Sequence, residues 1–348
     1  MLTLSESEAL FGQILDGGLT DAEITATLID MAGRGETADE IAGAALAMRA
    51  RMIRVSAPAG AIDVCGTGGD GSHSLNVSTA VALVVAACEV PVAKHGNRAA
   101  SSKAGAADTL EALGLNLDRA METAEATLAD LGICFLFAQK HHPALARIAP
   151  IRRAIGRRTI FNLLGPLCNP AGVTRQLIGI ANPALIETYA QALALLDTQE
   201  AMVVAGDEPL DELSVSGGSS IIRISNSIPQ SALAELDEAR VGHKPSSSSG
   251  GAGWCEGVDL IRITPETAGL TRHTQEALRG GDATYNASAL RRLLDGEQGA
   301  YRDAVLLNAS AALMVAGHTH DWQSGVEEAA EAIDKGLAKT LLECWVSY

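Results

Sequence analysis

Ile62-Asp63-Val64-Cys65-Gly66-Thr67-Gly68-Gly69-Asp70-Gly71 is the stretch on which the reading turns. A short apolar run ends in four glycines within six residues, and Asn76-Val77-Ser78-Thr79 then opens a helix predicted over 77–88. Strand, glycine turn and helix form the unit of a parallel α/β layer, whose ligands sit beyond the carboxyl ends of the strands. Glycines at 66, 68, 69 and 71 permit positive φ, so successive N–H groups can converge on an anion, and the helix N-terminus adds its positive end. Ser74, Asn76, Ser78 and Thr79 supply polar partners at short range. No Gly-Lys-Ser/Thr follows, so this is not a Walker A loop, and the glycine spacing is not GxGxxG. A phosphate cradle is the favoured reading; a structural turn is the plainer alternative.

Outward from that turn the pattern repeats. Apolar runs at Val90-Pro91-Val92-Ala93, Ile133–Phe137, Leu177–Ile180 and Ala201–Val204 alternate with helical stretches over 103–113, 120–130 and 183–196. The expected fold is α/β, with a mostly parallel central sheet flanked by helices, covering residues 61–348. Residues 1–60 read differently. Ser5-x-x-Glu8, Thr20-x-x-Glu23 and Thr37-x-x-Glu40 each carry a helix-start signature, and Gly17-Gly18 and Gly33-Arg34-Gly35 are plausible stops. They predict a small helical bundle serving as scaffold or dimer surface. The 225–258 segment contains the run Pro245-Ser246-Ser247-Ser248-Ser249-Gly250 and is expected to be a flexible insertion. The last 60 residues return to helix, with 306–313 as buried core.

Composition narrows the function. The 348 residues carry a net charge of −16, which disfavours nucleic-acid binding, and 47% are apolar, enough for a sizeable core. No apolar run approaches the ~18 residues of a membrane span, and the acidic N-terminus lacks the layout of a signal peptide. A soluble, cytoplasmic chain is expected. The six cysteines show no CxxC spacing and the eight histidines no zinc-like pair, so reduced thiols are expected and a zinc enzyme is not.

Three further segments could carry chemistry. Lys94-His95-Gly96-Asn97-Arg98 with Ser101-Ser102-Lys103 suits a multi-oxygen anion. Eleven of the 26 Lys and Arg residues fall between 94 and 175, in an acidic protein, which points to a local anionic ligand. In Arg152-Arg153-Ala154-Ile155-Gly156-Arg157-Arg158 the guanidinium groups cannot all point one way, and one turned inward could grip a planar carboxylate through two parallel hydrogen bonds. Asp207-Glu208-Pro209-Leu210-Asp211-Glu212 offers two carboxylate pairs suited to Mg²⁺ beside phosphates, and the residues alone do not choose between them.

In order, GTGGDG, NVST, KHGNR followed by SS, HHPA, RTIFNLLGPLCNPA and Asp211-Glu212-Leu213-Ser214 resemble the anthranilate phosphoribosyltransferase family over nearly the whole chain. The resemblance implies transfer of a phosphoribosyl group from phosphoribosyl pyrophosphate to the amine of anthranilate, in tryptophan biosynthesis, by a homodimer joined through its helical part. It assigns anthranilate to Gly66, Asn97 and Arg152. It assigns the donor to Gly66, Gly69, Asp70, Ser74, Asn76, Val77, Ser78, Thr79, the segment Lys94, His95, Gly96, Asn97, Arg98, Ala99, Ala100, Ser101 and Ser102, and Ala106. It implies two Mg²⁺ ions on Ser78, Asp211 and Glu212, choosing the second carboxylate pair, and catalytic parts for Arg152 and Lys94. Ala104 and Ala106 stand where the family commonly has serine, Ser74 replaces a usual threonine, and the 225–258 segment is longer than the family requires. Two rivals share the fold: a pyrimidine nucleoside phosphorylase, which would need no Mg²⁺, and a nucleic-acid-binding paralogue, which the net charge disfavours.

Overall fold

Three helices open the chain: α1 (Leu4–Asp16), α2 (Asp21–Arg34) and α3 (Ala38–Arg49). Each starts at a threonine whose hydroxyl accepts from the N–H three residues on, while the glutamate there returns the bond. Thr20 with Glu23 and Thr37 with Glu40 are the expected boxes. The first differs: Thr3 and Glu6 form it, with Thr3 N donating to Glu6 Oε2 at 2.9 Å, and Ser5 lies within the first turn. Overlapping Ser/Thr-x-x-Glu pairs are locally equivalent. Starting at Thr3 turns Ser7, Phe11, Ile14 and Leu15 inward, and Ser7 Oγ then donates to Glu40 O on α3.

The computed structural model describes residues 1–99, 102–208, 210–226 and 260–348. Most of the expected 225–258 insertion therefore lies outside the described residues, as do Ala100, Ser101 and Pro209. Among the described residues, seven strands form one sheet in the order β3-β2-β1-β4-β5-β6-β7. β1 (Ile62–Gly66), β2 (Val92–Gly96), β3 (Ile133–Phe137), β4 (Arg175–Gly179) and β5 (Glu200–Gly206) run parallel, while β6 (Ser219–Ser225) and β7 (Leu260–Ile263) add antiparallel. The parallel strands are buried on both faces, which is why they read as continuous apolar runs.

Side-chain alternation divides the core in two. Ile62, Val64, Val92, Leu177 and Val204 face α4 (Val77–Ala87) and the C-terminal helices α11 (Ala283–Leu294), α12 (Ala300–Ala316), α13 (Trp322–Asp334) and α14 (Leu337–Ser347). Cys65, Ile178, Ile180 and Val203 face the opposite way, into a cluster that takes in Phe11, Ile14, Ile24, Leu28 and Ile41 of the first three helices. That cluster also holds α9 (Leu145–Ile155) and α10 (Ile186–Ala194), whose chain enters through a 3₁₀ turn at Pro183–Leu185. The stretch expected as helix 103–113 begins only at Ala106, as α5 (Ala106–Leu113), because Gly105 N donates to Asp108 Oδ2 at the N-cap. The 120–130 stretch is two helices, α6 (Leu117–Glu122) and α7 (Ala124–Leu131), parted at Thr123, whose hydroxyl bonds back to Arg119 O. Between β3 and α9 a single turn, α8 (Ala138–His141), precedes the second histidine of the HHPA run. No helix among the described residues is long and apolar enough to cross a membrane.

Candidate active site

The pocket lies at the carboxyl ends of β1, β4 and β5. Gly66 and Gly179 end two neighbouring strands in register, and the loop after β5 packs directly on them. A Cβ at Gly66 would stand 2.1 Å from Asp211 Oδ2, and one at Gly179 only 1.5 Å from Asp211 O. Glycine at both positions is what lets Asp211 descend to the sheet. Its carboxylate accepts from Gly68 N at 2.7 Å, inside a turn where Gly68, Gly69 and Gly71 all have positive φ. Glu212 Oε1 accepts from Ser78 N at 3.1 Å in the first turn of α4. The carboxylate pair thus bridges the glycine turn and a helix N-terminus 143 and 134 residues away in sequence.

Electrostatically this is a strained corner. Burial, and then the neighbouring charge of Asp70, raises the Asp211 carboxyl to about 7. Burial followed by Asp211 and Asp70 raises Glu212 well above the carboxylate range. Lys94 is buried at 2% exposure, its Nζ donating to Val64 O at 2.8 Å and Ser78 Oγ at 3.3 Å. Burial lowers its pKa, while Asp63, Cys65, Glu212 and Asp211 oppose that. The ammonium therefore stands beneath the carboxylates and faces the interior. Among the described residues no three His, Cys, Asp or Glu side chains form a metal cage. Two crowded carboxylates and a hydroxyl instead fit a hard cation that completes its shell with water and phosphate oxygens. The other pair is engaged elsewhere: Asp207 with Arg262 of β7 at 2.7 Å, and Glu208 with the hydroxyls of Ser214 and Ser216 in its own loop.

The remaining residues singled out from sequence divide into those facing the pocket and those spent on its frame. Asp70 accepts from Ser72 N and Oγ, and Ser72 Oγ in turn bonds Ser74 Oγ at 3.2 Å, which shapes the far side of the turn. Asn76 makes no side-chain cap for α4; it donates to Ala104 O and accepts from Thr109 and Asn286. Val77 and Thr79 are buried in α4, and the Thr79 hydroxyl has no partner among the described residues. Arg98 pairs with Asp108 and Glu111 and lies 5.6 Å over the Phe137 ring. Asp108 also accepts from Ala99 N at 3.0 Å and so closes the loop after β2. Asn97 is exposed at that loop, Ser102 bonds Ala104 O, and Ala106 begins α5. His95, at the end of β2 before Gly96, points to the opposite face of the sheet, with Nδ1 on Gly165 O and its ring 5.2 Å from His142. Burial, reinforced by His142, holds it down at about 3, so it is neutral near pH 7.

Arg152 is the arginine turned inward. It is half-buried in the last turn of α9, 5.6 Å over the Phe161 ring, and no carboxylate among the described residues pairs with it. Arg153 is exposed, and Arg157 donates to Ile29 O, tying this segment to α2. Arg158 lies over the glycine turn, 3.8 Å from where a Cβ on Gly69 would stand. Asp108, Asn286, Tyr301 and Asn308, all of which brace this pocket, were not singled out from sequence. Asp108 and Asn286 lie on amphipathic helices where a polar residue reads as surface, whereas Asn308 sits in a stretch read as buried core, where its partner across the fold leaves no local signal.

A helical bundle against a mostly parallel sheet, with a glycine-lined carboxylate pocket at the strand ends, defines a two-part glycosyl transferase. The description "Glycosyl transferase family, helical bundle domain" matches residues 1–52, and "Glycosyl transferase family, a/b domain" matches 59–253 and 253–339. The chain is 61% identical to an anthranilate phosphoribosyltransferase of Novosphingobium aromaticivorans, over 99% of this chain and 95% of that one. The crystal structure of the Thermus thermophilus anthranilate phosphoribosyltransferase superposes with a TM-score of 0.86 at 38% identity, covering 100% and 95%. A Saccharomyces cerevisiae anthranilate phosphoribosyltransferase in complex with PRPP and Mg shares the fold, with a TM-score of 0.81 at 24% identity, covering 99% and 92%. Within the glycosyl transferases, the chain belongs to the anthranilate phosphoribosyltransferase family.

Proposed function

We propose a division of labour in the pocket for the family's reaction, carried by one observation: Asp211 and Glu212 meet the glycine turn and the start of α4. The chain transfers the phosphoribosyl group of phosphoribosyl pyrophosphate to the amine of anthranilate, giving N-(5-phosphoribosyl)anthranilate and pyrophosphate, in L-tryptophan biosynthesis. The bond that breaks joins C1 of the ribose to the diphosphate, and the bond that forms joins C1 to nitrogen.

Gly68 N is taken by Asp211, which leaves the amides of Gly69, Asp70 and Gly71, with the N-terminus of α4, to hold donor phosphates. Asp211, Glu212 and Ser78 would hold Mg²⁺, and when bound it neutralises charge on the departing diphosphate. The burial, and then the mutual crowding, that raises both carboxyls supports this, and the yeast protein of the same fold is described with PRPP and Mg. Two ions is the number the resemblance implies. Lys94 supports the site indirectly, by holding Ser78 Oγ and balancing the carboxylates. Arg152 grips the anthranilate carboxylate and aims the amine, an orientation effect, beside Gly66 and Asn97. An aromatic amine is neutral at pH 7 and keeps its lone pair, so the transfer requires no strong general base.

The division near residue 60, a homodimer through the helical part and a cytoplasmic location belong to the same proposal. The two family matches support the first, and buried free thiols at Cys65, Cys88, Cys134 and Cys168 support the last. The test mixes protein, Mg²⁺, phosphoribosyl pyrophosphate and anthranilate and follows the loss of anthranilate fluorescence, omitting each component in turn. Dependence on all three additions is expected. Phosphorolysis of thymidine or uridine without Mg²⁺ would replace the reading with a nucleoside phosphorylase.

A further inference from the structure

We propose that Asn308 is a positioning residue for the Asp211-Glu212 pair, and that α12 sets the separation between those carboxylates and Ser78. The inference rests on the functional reading above. Asn308 is 3% exposed and lines the same pocket wall as Val77, Ser78, Asp211 and Glu212. Its Oδ1 accepts from Leu213 N at 2.9 Å, and its Nδ2 donates to Leu213 O at 3.1 Å and to Ala304 O at 2.9 Å. One amide therefore holds both backbone groups of the residue that follows Glu212. An amide side chain supplies the acceptor and the two donor hydrogens that these three bonds use; an ionised carboxylate cannot donate and an alkyl group does neither. Holding Leu213 N orients the Glu212–Leu213 peptide plane, one of the two that set the direction in which Glu212 leaves the backbone, and holding Leu213 O anchors the chain just beyond it.

Two helical turns earlier on the same face, about 10.5 Å along the axis, the Tyr301 hydroxyl donates to Asn76 O at 3.1 Å. Asn76 precedes Val77 and Ser78 at the start of α4. The two halves of the pocket, remote from one another in sequence, are thus referenced to one rigid helix from the C-terminal part of the chain. Asn76 has other supports in Thr109 and Asn286. Among the described residues, the backbone of Leu213 has Asn308 alone. Loss of Asn308 should therefore loosen the carboxylate half first.

The test measures Mn²⁺ binding in the presence of phosphoribosyl pyrophosphate, by the paramagnetic resonance signal of free Mn²⁺, for wild type, Asn308→Leu, Asn308→Asp, Tyr301→Phe and Asp211→Asn. Asn308→Leu is expected to weaken Mn²⁺ binding at least tenfold, with turnover largely restored by excess Mg²⁺ and the anthranilate KM unchanged. Tyr301→Phe should show a smaller loss, confined to donor affinity. Should Asn308→Leu fail to fold, Asn308→Asp decides, since it keeps the acceptor for Leu213 N and loses both donated bonds. Mn²⁺ binding equal to wild type in the folded Asn308 variants, or a loss that excess metal does not restore, overturns the positioning role and leaves the pocket reading standing. Absence of donor-dependent Mn²⁺ binding in wild type would instead overturn the pocket reading itself.

Discussion

Arg152 combines half-burial, an aromatic platform and the lack of a carboxylate partner among the described residues. Burial pulls its pKa down, so a bound carboxylate would relieve a standing cost. Arg152→Ala is expected to raise the anthranilate KM by roughly 100-fold, the loss of about 3 kcal/mol of charge-assisted hydrogen bonding, with donor affinity held within a few-fold. Steady-state kinetics in both substrates check this, and equal losses for the two would count against the role. Asp211→Asn combined with Glu212→Gln should abolish Mg²⁺-dependent turnover, and full activity in that double variant would remove the metal assignment. At Gly179 the constraint is steric, since a methyl group would overlap the Asp211 carbonyl. Gly179→Ala should displace the Asp211 loop, cost about 1–3 kcal/mol of stability and lower kcat far more than Gly33→Ala in α2, where no atom lies within 4 Å. Denaturant melts and kinetics on the two variants separate these effects. The glycine turn and the Arg152 run were legible in sequence because each is a local cluster. The commitment of Arg98 to Asp108 and Glu111, and the inward turn of Lys94, were not, because a cation's partners depend on which elements meet.

Among the elements, the helical bundle shows how far local chemistry reaches. Thr20-x-x-Glu23 and Thr37-x-x-Glu40 start their helices where the pattern puts them. Glu40 then does more than any local rule asks of it: it accepts from Thr37 N, from Leu2 N and from the Arg34 guanidinium, while fully buried. Burial alone would raise its carboxyl, but Arg34 and the two N–H groups outweigh that and hold it at about 2. Between about 2 and its unfolded value of 4.5 the folded protein binds fewer protons than the unfolded chain. Its stabilisation is therefore complete above 4.5 and is lost as pH falls through about 2. The size is on the order of 3 kcal/mol. Glu40→Gln should be less stable at pH 7 by that order and show a flatter acid limb, read from urea unfolding between pH 7 and 2.5. An unchanged pH dependence would show that Glu40 is not what secures α1 against α3.

For the whole molecule, donor and Mg²⁺ together should stabilise the fold by about 2.7 kcal/mol at a hundred times Kd. The Asp211→Asn, Glu212→Gln variant should lack that shift in a thermal melt, and an equal shift would place the donor elsewhere. Sedimentation should give twice the chain mass if the proposed homodimer forms. What the order of residues settled alone was set by near neighbours: the buried parallel strands, the glycine turn, two of the three capped helix starts and the local excess of arginine and lysine. Their physics acts over a few residues, through backbone freedom, period and burial of one face. Folding in three dimensions alone decided that Asp211 would rest on Gly66 and Gly179, that Lys94 would lie beneath it, and that Asn308 would hold Leu213 from 95 residues away. An apolar stripe records that a face is covered. The identity of the covering element is fixed only when sheet order and helix packing close, because those contacts depend on shape and register across the whole chain.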